Sequence, residues 1–414
     1  MTAVSPELRS VDDHLRRILT SIGPLADIEV NLLDAHGCVL AEDVVAEQPL
    51  PRFDNSAMDG YAVRVADVAT ASADHPVELP VIGDIAAGTG GRYVINPGLC
   101  ARIMTGAPVP PGAEAVVPVE WTDGGIARVR IHRPASPGLH IRRAGEDVRA
   151  GDTVLRAGTT LGAAQLGLLA AIGRARVRVR PKPRVVVFST GNELVDAAAV
   201  PGPAQIYESN SYALTAAARE SGAMAFRVGI VPDDPVRLLS LIEEQLVRAD
   251  LVITSGGVSA GAYDVVKEVL SRLGTVEFVR VAMQPGMPQG FGHVGPDKTP
   301  IFTLPGNPVS AFVSFEVFVR PAIQRMLGRE RLYRPLVRAT LLEPVRKTAG
   351  KRSYVRARLD VRDGTYVVAP VGGMGSHLVA ALAQSNALIV LPEHASEVPA
   401  GVTVSVMVLE RRQP

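Results

Sequence analysis

The chain has 414 residues, more than one ordinary core accommodates, so roughly two to four domains are expected. Lys plus Arg number 43 and Asp plus Glu 42, a balance that argues against a nucleic-acid binder held by bulk charge. The longest apolar run, 161–172, is interrupted by Gln165 and is well short of a bilayer, and the N-terminus lacks a basic start followed by an apolar core, so neither a membrane span nor a signal peptide is expected.

In chain order, the first predicted element is a helix from Ser10 to Ile22. Ser10 is a candidate N-cap with Asp13 three residues on, and Val11, Leu15, Ile18, Leu19 and Ile22 share one apolar face. Residues 51–143 change character. Short alternating runs such as Gly60–Val65, Ala115–Val119 and Ile126–His132 are separated by Pro, Gly and Asp clusters, which predicts a β-rich insert domain. Thr160 then caps a small-residue helix, 161–172, ended by Gly173. Two helices flanking a β insert predict a split helical linker domain, residues 1–50 and 144–180.

From Arg184 to Gly328 strands and helices alternate. Strands are predicted at 185–188, 225–230, 251–253, 276–281 and 301–304, and helices at 212–221, 235–248, 265–273 and 309–327. This pattern predicts an α/β domain, residues 181–328, with a parallel sheet covered on both faces and ligands bound at the carboxyl ends of its strands. Residues 329–414 return to short strands, with Arg362-Asp363-Gly364-Thr365 as a two-residue hairpin turn, and predict a small C-terminal β-barrel or sandwich. The two cysteines, Cys38 and Cys100, are far apart and read as buried thiols in a reducing cytoplasm. The eight histidines never pair at zinc-ligand spacing.

Two loops carry the chemistry. Leu251-Val252-Ile253 runs into Thr254-Ser255-Gly256-Gly257-Val258-Ser259, a strand entering a Gly-rich turn before a helix. Such a turn presents backbone N–H groups to an anion, although adjacent glycines also serve plain tight connections. Ile301–Leu304 runs into Pro305-Gly306-Asn307-Pro308-Val309-Ser310. Two prolines make this loop rigid before any ligand arrives, and Pro308 sits where a first helical turn accepts proline. Three acids, Glu193, Asp233 and Asp264, follow predicted strands and so belong to the same edge. Carboxylates there suit a hard cation such as Mg2+. Asp233 and Asp264 could equally cap the next helices, whereas Glu193, placed after Thr190-Gly191-Asn192, has no cap to serve.

These loops, together with the runs Phe53–Ala62, Arg102–Pro110, Gly145-Glu146-Asp147-Val148 and Ser189–Leu194, resemble the molybdopterin molybdenumtransferases, the MoeA family, with the gephyrin E-domain as animal relative. The resemblance runs from about Asp12 to the C-terminus. It implies an α/β domain of the molybdopterin-binding type. It also implies a cytoplasmic homodimer, adenylyl-molybdopterin and molybdate as substrates, Mg2+ as cofactor, and the molybdopterin adenylyltransferase as a partner. Asp59, Asp147, Glu193, Asp233 and Asp264 would be catalytic, the last three as metal ligands. Thr105, Thr190, Ser255, Gly256, Gly257, Ser259, Pro305, Gly306, Asn307, Pro308, Ser310 and Arg352 would bind substrate. By the residues alone, Asp59 is a turn residue. A non-catalytic pterin-binding or scaffold protein on the same fold is the alternative reading. A nucleotide hydrolase is a third, opposed by the run Asp54–Ala62 and the C-terminal β domain. The chain departs from the family pattern at Met283-Gln284-Pro285-Gly286-Met287-Pro288, where many members have Lys-Pro-Gly-Lys-Pro. That departure predicts weakened oxoanion binding or a cation supplied from elsewhere, with Lys351 and Arg352 as candidates.

Overall fold

The computed structural model describes residues 8–88, 93–257 and 263–409. They fall into two compact units. One comprises residues up to 29, 37–41 and 178 onward; the other comprises 30–36 and 42–177.

The larger unit is built on a six-stranded sheet in the order Met224–Val231, Arg184–Thr190, Leu251–Ser255, Thr299–Leu304, Pro288–Val294, Glu277–Arg280. The first four strands are parallel, as the strand–helix alternation predicts. The last two are an antiparallel extension. Strand Pro288–Val294 has no counterpart in the sequence reading. Gly290, Gly292 and His293 break its apolar run, and the glycines are required: a Cβ would lie 2.8 Å from Thr303 Cβ at 290 and 2.1 Å from the Thr275 carbonyl oxygen at 292.

Side chains of a strand alternate between faces, and the core records this. Val185, Val187, Leu251, Ile253, Phe302 and Leu304 pack with Leu214, Ala217 and Ala218 of helix Asn210–Glu220 and with Val309 to Ile323. Val186, Phe188, Val252 and Ile301 point the other way, onto Leu238 and Ile242 of helix Pro235–Leu246 and onto Val266, Val269 and Leu270 of helix Tyr263–Leu273. The helix predicted at 309–327 starts one residue earlier, with Pro308 in its first turn. It passes through one π turn, Phe315–Val319, and ends at Met326.

Helix Val11–Ser21 is capped by Ser10, whose hydroxyl accepts from the Asp13 N–H. It packs on the π turn and on Arg320–Met326, burying Val11, Ile18 and also His14. Farther along, Arg352–Arg362, Thr365–Pro370, Leu336–Leu341, Thr403–Val408 and Ala387–Leu391 close into a five-stranded barrel. Arg362 pairs with Thr365, so the hairpin forms as predicted, with φ positive at Asp363 and Gly364.

The smaller unit holds a five-stranded sheet in the order Ala115–Pro118, Gly60–Val63, Cys100–Ile103, Val77–Ile85, Arg128–Ile131, with apolar clusters on both faces. Its helix Ala163–Ala171 starts after Gly162 rather than at Thr160: the Gly162 N–H donates to the Gln165 side chain. Both cysteines are buried and neither is in a disulfide, and burial pushes the Cys100 thiol up to about 12.

Candidate functional site

The carboxyl edge of the larger unit's sheet opens into a cavity of about 570 Å³. Its walls include Thr190, Glu193, Asp233, Ser255, Gly256, Gly257, Pro305, Gly306, Asn307 and Pro308, so ten of the residues singled out in the sequence come together. Ser259 lies outside the described residues. Of Asp264 only the backbone, within helix Tyr263–Leu273, is described.

The Gly-rich turn is made by backbone that no other residue could replace. Gly256 and Gly257 have φ of 98° and 71°. A Cβ on Gly256 would lie 2.4 Å from the Thr190 carbonyl oxygen, and one on Gly257 would lie 2.2 Å from Val266 Cγ2. The Pro loop ends on Asn307, the N-cap of the helix that begins at Pro308, so a helix N-terminus faces the cavity as expected.

Asn210 binds these loops together, and the sequence reading missed it. Its Nδ2 donates to Ser255 Oγ at 2.7 Å and to the Gly306 carbonyl at 2.6 Å. Beneath it, the buried carboxylate of Glu208 accepts from Ser189 Oγ at 2.7 Å and from the Ser211 N–H at 2.6 Å. Arg227 braces this cluster from the side. Its guanidinium donates to Ser211 Oγ and to Asp196 at 2.7 Å each, and stacks 3.8 Å above the Tyr212 ring. The only local signal for this network is the polar run Glu208-Ser209-Asn210-Ser211 before a helix, which by itself reads as capping.

The two remaining carboxylates of the wall behave differently. Asp234, not Asp233, caps helix Pro235–Leu246, accepting from the Arg237 N–H at 2.8 Å. Asp233 is thereby free of the capping duty the sequence left open for it. Its Oδ1 is buried with no hydrogen-bond partner. Burial pushes its carboxyl above the usual carboxylate range, and the charge of Glu193 adds to the push; the Asn192 contact works against both. Gly191, at φ 153°, leaves room for the Glu193 carboxylate to fold back, since a Cβ there would lie 2.5 Å from Glu193 Oε2. Two acids that repel each other, one with an orphaned oxygen, suit a hard cation that keeps waters and takes its other ligands from a bound phosphate. No group of three or more metal-ligating side chains occurs among the described residues, which do not include the Asp264 side chain.

Other expected contacts sit elsewhere. Arg352 does not reach this cavity. Its guanidinium forks onto Asp12 at 2.7 and 2.8 Å and onto Glu393 at 3.0 Å, which commits its charge to joining the barrel with the first helix. The hydrogen bonds from Arg352 hold Asp12 below its ordinary value. Ser310 is buried in the helix behind the Pro loop rather than exposed at the wall. Arg356 is buried too, donating to the carbonyls of Gly375 at 3.0 Å and of Gly373. Arg358, on the same strand, is exposed. At the departing segment, Pro288 lines the cavity, Gln284 Oε1 is buried without a partner, and Met287 Sδ accepts from Arg280 at 3.5 Å.

Asp59, Thr105 and Asp147 belong to the smaller unit. There Asp59 Oδ1 accepts from the Thr105 N–H at 2.6 Å and from Thr105 Oγ1 at 2.7 Å. These bonds hold the Asp59 carboxyl below the usual range. The structure therefore joins two residues that lie 46 positions apart in the sequence. Asp147 is exposed, and its N–H donates to the Leu50 carbonyl at 3.1 Å.

The larger unit thus defines an α/β ligand-binding protein whose sheet edge offers backbone donors to an anion and carboxylates to a cation. Comparison with known proteins narrows this. Residues 9–173 match the MoeA N-terminal region (domain I and II), 186–325 a probable molybdopterin binding domain, and 338–409 the MoeA C-terminal region (domain IV). The chain is 50% identical over 405 residues to molybdopterin molybdenumtransferase 2 of Mycobacterium tuberculosis, covering 96% of this chain and 99% of that one. It is 46% identical to molybdopterin molybdenumtransferase 1 of the same organism, covering 97% and 99%. A molybdopterin biosynthesis MoeA protein from Pyrococcus horikoshii superposes with a TM-score of 0.81 at 32% identity, covering 98% of this chain and all of that one. The chain belongs to the molybdopterin molybdenumtransferases, a family of transferases of molybdenum cofactor biosynthesis.

Proposed function

We propose that the chain binds adenylyl-molybdopterin in this cavity and inserts molybdate into it with release of AMP, in a Mg2+-dependent reaction. The observation that carries the reading is the Glu193–Asp233 pair. Two repelling carboxylates, one with an unpartnered oxygen, lie between two loops that offer backbone donors.

The geometry supports the following roles. Gly256 and Gly257 bring the chain close to a phosphate, and the helix N-terminus at Asn307 and Pro308 attracts its charge. Asn210 keeps the two loops in register, so the anion seat is set before substrate arrives. Glu193 and Asp233, with Asp264, would hold Mg2+, which would supply positive charge to the phosphoanhydride as it opens. Water oxygen bonds to the pterin-side phosphorus and loses its proton to solvent, the bridging P–O bond breaks, and AMP departs with the electron pair. Positioning of this kind requires no covalent intermediate on the protein.

We infer further that the protein is a homodimer whose clefts combine two chains, with the Asp59–Thr105 pair and Asp147 serving the partner's cavity. The test of the reaction is AMP release from adenylyl-molybdopterin with and without molybdate. Molybdate-dependent AMP formation is expected, and its absence would sink the reading. For the dimer, a mixture of Asp59→Asn and Glu193→Gln chains should recover activity by subunit exchange. Full activity in a strictly monomeric species by light scattering would refute it.

A further inference from the structure

The wall of the cavity is short of positive charge. Among the described residues that line it there is no Lys or Arg, while Glu193, Glu208 and Asp233 are acids. The segment 283–288 brings Pro288 to the wall but offers Gln284 and Met287, neither of them charged. A substrate that is a phosphate ester, joined by an oxoanion, needs a cation there besides any metal. One lining side chain can carry positive charge: His377.

The chain goes to some length to place that histidine. It ends the run Gly372-Gly373-Met374-Gly375-Ser376-His377. Arg356, buried and without a carboxylate partner, spends its guanidinium on the carbonyls of Gly373 and Gly375. The Val309 N–H, in the first turn of the helix behind the Pro loop, donates to the Ser376 carbonyl at 3.0 Å. The Val379 N–H donates to the His377 carbonyl at 2.9 Å. The imidazole packs against the bare face of Gly375, where a Cβ would lie 2.9 Å from His377 Cε1. The loop is thus fastened to the anion-binding helix at one end and to the barrel at the other, and the exposed ring is left facing the cavity.

We propose that His377 is a substrate-binding residue of this cavity, its imidazolium hydrogen-bonding an oxoanion, either a phosphate of the adenylated pterin or molybdate. The inference rests on the function proposed above. The other titratable groups of the wall are Glu193, Tyr207, Glu208 and Asp233, with Arg356 beneath the loop. Asp233 also gains a proton as pH falls and would also favour an anion, so the test must separate the two.

The experiment is equilibrium binding of adenylyl-molybdopterin to the full chain, read by pterin fluorescence from about pH 5.5 to about pH 8, where histidine changes charge. A second arm measures the molybdate concentration that half-saturates AMP release. In the unaltered protein, affinity should rise as pH falls. His377→Gln should lose about three- to tenfold at the acid end and flatten the profile, the range for one charge-assisted hydrogen bond at a half-open site. His377→Lys should keep the affinity and also flatten the profile. A loss confined to the pterin arm assigns the contact to phosphate; a loss confined to the molybdate arm assigns it to molybdate. If the pH slope survives in His377→Gln, or neither arm changes, the proposal is wrong. Failure of the unaltered chain to release AMP would count against the reaction and not against the contact, because the binding arm needs no turnover.

Discussion

Asp59 and Asp233 are the same residue type in opposite circumstances. Asp59 is exposed, yet its carboxylate is committed: one oxygen takes both the N–H and the hydroxyl of Thr105, which holds its carboxyl low. Asp233 is half-buried, has an oxygen without a partner, and is held high by burial and by Glu193. A carboxylate that is already satisfied shapes the backbone around it. One that is charged, desolvated and unsatisfied is stable only when something else arrives to pair with it. On this contrast the Asp59 carboxylate is bound to Thr105, and Asp233 beside Glu193 is left with an oxygen that no described residue pairs.

The largest effect should come from removing the waiting charges. Glu193→Gln and Asp233→Asn keep size and remove a ligand that a hard cation needs. Each should lower the rate of AMP release by at least about a hundredfold, roughly 2.7 kcal/mol in barrier height, while pterin binding stays largely intact. Single-turnover AMP release at saturating Mg2+ measures it. A rate within about twofold of the unaltered protein, well under one pKa unit's worth of energy, would remove Glu193 from the list of ligands.

The committed carboxylate should respond differently. Asp59→Ala and Thr105→Ala delete the two ends of one interaction. Each should reduce kcat/KM by about tenfold, and the double variant should be little worse than either, since residues acting as one unit are not additive. The comparison of Asp59 with Asp233 breaks if the effects multiply instead, because Asp59 would then act on substrate independently of the loop it holds. Acidification offers a second check. A carboxyl held low contributes stability above its unfolded value that is lost as pH falls through its folded value; a carboxyl held high does the reverse. Asp59→Ala should therefore weaken the protein's advantage at neutral pH, whereas Asp233→Asn should relieve a penalty there.

Much of this was legible in the sequence for a physical reason. Strand-then-glycine and strand-then-proline are local statements, since φ is restricted residue by residue. The loops at Gly256-Gly257 and Pro305–Pro308 could therefore be read from nine or ten letters each, a window of about that length being what local rules span. The parallel core was equally local, because buried strands read as apolar runs. What could not be read was recruitment over distance. Arg352 has the right charge near the right place, but Asp12, 340 positions away, takes it. Asn210 looks like a capping residue until the fold sets it against Ser255 and Gly306. Helix Val11–Ser21 shows its apolar stripe plainly, but not that the stripe also buries His14 or which helices it meets.

That hidden histidine yields the smallest expected effect and extends the contrast to a base. His14 is buried edge-on against Phe318, ring centroids 4.9 Å apart, with Nδ1 unpartnered. Burial, reinforced by Arg9 and Arg17, pulls its pKa down to about 4. For a base whose folded value is depressed, the unfolded chain takes up the proton first, so stability falls as pH drops from the unfolded value of 6.5 toward about 4. Between about pH 7.5 and about pH 6 this amounts to about 1 kcal/mol. His14→Leu keeps the contact with Phe318 apolar and removes the titrating ring. Chemical denaturation of this variant across the same range should show stability that no longer declines with acid. An unchanged decline would mean that His14 takes up its proton as readily in the folded state as in the unfolded one, and that another group sets the acid limit.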